Sequence, residues 1–91
     1  METIRQKRKQ HAILLETQAV CVSGVRLEYR LEFANAYWIT VDSGTETVRV
    51  FLGESLGPAW KFFELAVRNS VTPCTLEEIH SDFLYLQLGG E

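Results

Sequence analysis

An α+β domain, a four-stranded antiparallel β-meander followed by two α-helices packed on one face of the sheet, is the fold that these 91 residues predict. Three observations lead there. Residues 25–33, "VRLEYRLEF", alternate apolar and charged side chains without a fault. Turn-forming residues interrupt the chain on either side of that run, at "VSG" and "DSGTE". After "GESLGP" the apolar period changes from two to that of a helix.

The first two strands form a hairpin. In the second of them Val25, Leu27, Tyr29, Leu31 and Phe33 share one side and Arg26, Glu28, Arg30 and Glu32 the other, as in a half-buried strand. Upstream, "HAILLETQAVC" is rich in strand formers. A three-residue loop with Gly24 in the left-handed region pairs Cys21 with Val25, Ala19 with Leu27, Thr17 with Tyr29, Leu15 with Leu31 and Ile13 with Phe33. A two-residue loop would turn Glu16 and Gln18 toward the core, so the pattern favours the longer loop.

"AYWITV" and "TVRVFL" continue the meander. A loop over residues 43–46 sets Val41 opposite Val48, Ile39 opposite Val50 and Tyr37 opposite Leu52, apolar against apolar. Beyond Pro58, which suits a first helical turn, Ala59, Phe62, Phe63, Ala66 and Val67 recur at helical spacing while Lys61, Glu64 and Arg68 face water. "NSVTP" ends that helix. Thr75 and Glu78 have the spacing of a capping box that opens a second one, with Leu76, Ile79, Phe83 and Leu86 on its inner stripe.

A chain of 91 residues is one domain, in which folding buries roughly 60% of the unfolded surface. With 46% hydrophobic and 23% charged residues it stands outside the disordered and membrane classes. No apolar run approaches the ~18 residues of a membrane span, and "METIRQKRKQ" leads into no signal-peptide core, so a cytoplasmic protein is expected. Charge is uneven. Arg5, Lys7, Arg8 and Lys9 against Glu2 give residues 1–9 a charge of +3, and because the whole chain carries −3 the remainder holds −6. Residues 1–10 thus read as a basic N-terminal segment, free to move, ahead of a single α+β domain over 11–88.

Reactive side chains concentrate in one stretch, "VTPCTLEEIHSDF", residues 71–83. Glu77 and His80 have the Glu-x-x-His spacing of carboxylate-bridged metal helices, but such sites draw a second copy of the motif from another helix, and the sequence holds none. Cys74 stands just before a helix start, where amides activate a thiol, yet a nucleophile also needs an oriented base, and His80 lies more than a turn away. Cys21 and Cys74 lack any paired spacing and read as two buried thiols, not a disulfide or zinc module. There is no phosphate-cradling glycine loop and no nucleic-acid motif. No catalytic residue, metal or cofactor is expected.

Val71, Pro73, Leu76, Asp82, Phe83 and Leu84 follow a Val-x-Pro-x-x-Leu turn and an Asp-Phe-Leu helix ending. In these positions the C-terminal half resembles a family of small Firmicutes proteins, domain of unknown function 6514. The resemblance implies a bacterial cytoplasmic protein and brings no catalytic residues with it.

The strand register also fixes the other face of the sheet. One row reads Glu16, Arg30, Thr40 and Arg49, suited to water; its neighbour reads Leu14, Glu32, Trp38 and Phe51, with Trp38 opposite Phe51. An aromatic pair on an outer face marks a partner site or a place covered by the chain's own termini. The reading that follows is a non-enzymatic interaction module, homodimer or adaptor, whose interface is Leu14, Glu32, Trp38 and Phe51. The alternative is a binder of nucleic acid or an acidic partner through the basic arm Arg5, Lys7, Arg8 and Lys9.

Overall fold

The computed structural model describes residues 12–89, so the basic segment over residues 1–10 lies outside the described residues. Four antiparallel strands, β1 (Ile13–Val22), β2 (Val25–Phe33), β3 (Tyr37–Asp42) and β4 (Thr47–Gly53), lie in the order β1-β2-β3-β4. They are followed by helix α1 (Leu56–Arg68), a 3₁₀ turn (Pro73–Thr75) and helix α2 (Leu76–Gly89). The expected α+β meander with two following helices is the fold observed.

The core forms where the alternation said it would. Leu27, Tyr29, Leu31, Ile39, Val41, Val50 and Leu52 from the inner face of the sheet close against Ala59, Phe62, Phe63 and Ala66 of α1. Helix α1 lies across all four strands, whereas α2 rests on the flank of α1 and on β4. Leu76 is fully buried at the start of α2, with Ile79 and Phe83 packed on the core. Leu86, expected on the same stripe, is 66% exposed because the helix has by then run past α1. The inner layer is tied to the α1–α2 connection by one buried bond, in which the Tyr29 hydroxyl donates to the Val71 carbonyl at 2.9 Å.

The register of β1 differs from the expectation. The turn holds two residues, Ser23 at φ 51° and Gly24 at φ 81°, so Val22 pairs with Val25, Val20 with Leu27, Gln18 with Tyr29 and Glu16 with Leu31. Positive φ at both turn positions gives a backbone twist that matches the strands, and this outweighs the ill fit of Ser23 to the left-handed region. Glu16 and Gln18 do turn to the inner side. They are tolerated there because α1 leaves β1 largely uncovered, and the two side chains bond to each other at 2.9 Å. A bulge between Leu14 and Glu16 then absorbs the slip, so that Ile13 lies opposite Phe33 as expected. A second bulge between Tyr37 and Trp38 sets Tyr37 opposite Gly53 instead of Leu52, while Val41–Val48 and Ile39–Val50 stand as expected.

The last α-helix begins at Leu76, directly after Thr75 as expected, but the side chains at its start are arranged differently. Thr72 is the residue before the 3₁₀ turn, Pro73 occupies its first position, and the Thr75 hydroxyl lies 3.0 Å from that of Thr72 and 3.3 Å from the Thr72 carbonyl. The Thr75 side chain is therefore engaged backward, not in a capping box with Glu78. Proline, pre-set for a helical first turn, begins the helical path three residues earlier than the threonine–glutamate spacing suggested.

Candidate functional site

The row Leu14, Glu32, Trp38 and Phe51 is assembled across the outer face, because the bulge in β1 restores the pairing of Leu14 with Glu32. The neighbouring row begins with Thr17, not Glu16, and continues through Arg30, Thr40 and Arg49. Trp38 and Phe51 are directly opposed and meet edge to face, with ring centroids 5.3 Å apart at 74°. Such pairs contribute ~1 kcal/mol beyond their area. Phe51 remains 50% exposed and Leu14 53%.

Trp38 is less open than its position implied. Its indole N–H donates to the Ala34 carbonyl at 3.1 Å, and the Arg49 guanidinium sits 4.3 Å over its ring. Arg49 is in turn 3.7 Å from the Glu32 carboxylate, which accepts a bond of 3.2 Å from the Thr40 hydroxyl. Glu28 and Arg30 pair at 3.2 Å on the same face. Glu32 therefore divides the apolar row, and the open apolar ends are Phe51 on β4 and Leu14 on β1. Arg49 is the residue that strand-by-strand reasoning missed. It stands in the adjacent row as expected, and from that diagonal position its long side chain reaches across to Trp38.

In the 71–83 stretch Glu77, Glu78 and Asp82 are exposed. His80 is partly buried, its ring centroid 4.9 Å from that of Phe62, and this burial lowers its pKa from the ordinary histidine value. Cys74 and Cys21 are exposed, not buried as read from the sequence. Edge position leaves Cys21 uncovered, and Cys74 follows Pro73 on the outside of the turn. Among the described residues, no group of three or more His, Cys, Asp or Glu side chains is gathered as metal ligands would be. No described helix is long and apolar enough to cross a membrane. Arg5, Lys7, Arg8 and Lys9 lie outside the described residues.

No family model, curated protein or solved structure matches the chain.

A second open region lies on the inner side. Between β1 and α1 runs a groove of about 390 Å³, floored by Trp60, Phe63 and Val67 and rimmed by Glu16, Gln18, Glu64 and Arg68. The Trp60 indole N–H donates to the Glu64 carboxylate at 2.9 Å, which holds the ring along the groove wall.

Proposed function

We propose that this chain is a non-enzymatic protein–protein interaction module, an adaptor that presents the outer face of its sheet to a partner protein. The observation that carries the reading is Phe51, half exposed and braced edge-on against Trp38 on a face opposite the helices. A braced aromatic ring beside the Glu32–Arg49 pair, with Glu28–Arg30 farther along the same face, has the layout of an apolar anchor next to a polar rim. The resemblance noted in the sequence would place this activity in a bacterial cytoplasm.

The open apolar area by itself does not hold a permanent complex on this face. Covering the open halves of Phe51 and Leu14 removes on the order of 200 Å² of apolar surface, or ~5 kcal/mol at ~25 cal/mol/Å². Association itself costs ~4–15 kcal/mol, so a partner must also engage the charged rim. A photo-crosslinking side chain at position 51, with position 77 on the exposed face of α2 as control, tests the reading in cells. A discrete adduct with another protein from position 51 alone is expected. Adducts no stronger than those from position 77 would refute the face as a partner site, and an adduct of the chain with itself would make it a homodimer contact.

A further inference from the structure

The outward edge of β1 is a second, separate surface. Among the described residues β1 has a neighbour on one side only, and its ten residues, "ILLETQAVCV", carry a single charge, Glu16, with no lysine, arginine or proline. Edge strands are ordinarily blunted by such residues or by a covering element. At the other edge, β4 carries Arg49 and has α2 and the 3₁₀ turn lying against it. β1 has only its bulge, which leaves the regular run from Glu16 to Val22.

We infer that this run pairs with the same run of a second copy, antiparallel about a two-fold axis at Ala19, to join two sheets into one of eight strands. The backbone decides the register. The Ser43 N–H donates to the Glu46 carbonyl at 2.9 Å, and alternation from that pair through the ladders of β3 and β2 turns the backbone groups of Glu16, Gln18, Val20 and Val22 toward β2. Those of Thr17, Ala19 and Cys21 point outward. Only a register centred on Ala19 sets all three outward residues opposite outward residues, Ala19 against Ala19 and Thr17 against Cys21, and so satisfies every one of their donors and acceptors.

The side chains suit that register. Thr17, Ala19 and Cys21 are small and exposed on the outer face, so among the described residues no bulky side chain bars close approach at the axis. On the inner face Glu16 comes opposite Val22 and Gln18 opposite Val20, so the strand's one charge never meets its copy. The grooves beside each α1 then run together across the axis. Strand pairing of this length is a small interface, so a dissociation constant on the order of micromolar is expected.

Sedimentation of the full chain from about 1 to 100 µM tests this against that micromolar expectation. The wild type should pass from monomer to dimer. Ala19→Pro removes only an outward N–H, so it should be monomeric throughout and keep its circular dichroism spectrum. Should that variant fold poorly, Ala19→Lys roots two like-charged side chains on Cα atoms about 5.5 Å apart across the axis and should weaken the dimer at least about tenfold at low salt. Trp38→Glu, two strands in from this edge on β3, should leave the dimer unchanged. The inference is overturned by a monomeric wild type, by a dimer indifferent to both Ala19 substitutions, or by one that Trp38→Glu dissociates. Dimerisation only after removal of residues 1–11 would also overturn it, since the chain's own segment would then hold the edge.

Discussion

Replacing Tyr29 by Phe removes one oxygen from the centre of the molecule, and the structure fixes what that oxygen does. Tyr29 has no solvent exposure, and its hydroxyl donates to the carbonyl of Val71, a residue only 6% exposed, at 2.9 Å. The bond joins the middle of β2 to the connection between the helices, where Ser70 holds φ 52° and the Val71 N–H donates to the Ala66 carbonyl at 3.0 Å. In Tyr29→Phe the ring still fills its place, but the carbonyl loses that donor where water does not reach it. An unsatisfied buried acceptor costs ~1–3 kcal/mol, and with both ends this deeply buried we expect about 2 kcal/mol. At ~4–8 °C per kcal/mol for a domain of this size, the melting temperature should fall by roughly 8–16 °C. Urea denaturation followed by circular dichroism measures the same loss, with an unchanged slope if the fold is intact. Burial also raises the phenol pKa above its ordinary value of 10.0. Stability tied to the neutral phenol is thus fully present below pH 10.0 and is lost as pH rises through the higher folded value, a decline that Tyr29→Phe should lessen. A variant within about 0.5 kcal/mol of wild type would refute the reasoning.

Burial lowers the His80 pKa below 6.5, so its neutral form contributes stability above pH 6.5 that is lost as pH falls through the folded value. His80→Phe, which keeps a ring against Phe62, should flatten the fall in melting temperature on the acid side of that pH; an unchanged profile would mean His80 is solvated. Arg49→Ala should cost about 0.5–1 kcal/mol, the scale of an exposed cation–π contact. In a Trp60→Phe background it should also shift Trp38 emission to the red, and a constant spectrum would show that the guanidinium does not shield the ring. Ser70→Gly should stabilise the protein by about 0.5–1 kcal/mol in urea melts, because φ 52° strains a residue with a Cβ.

Local pattern specified the strands and helices, the inward face of β2, the β3–β4 register except at Tyr37, and the buried stripe of α1. In these segments period and turn chemistry agree, and the central inward residues Leu27, Tyr29, Leu31, Ile39, Val41 and Val50 meet a covering layer, so a slip would place Arg30 or Arg49 in the core. That penalty is absent at β1. Its inner face is only partly covered by α1, so Glu16 and Gln18 remain wetted when they turn inward, and turn geometry decides the register in place of hydrophobic pattern. Tertiary structure alone decided the rest of the surface. Arg49 reaches Trp38 on a diagonal, and His80 finds Phe62 on another helix. The outer row survives the slip because a bulge at Leu15 restores it. Each depends on the distance between elements far apart in the chain, which periodicity does not encode, since periodicity says which side a residue faces and not what stands there.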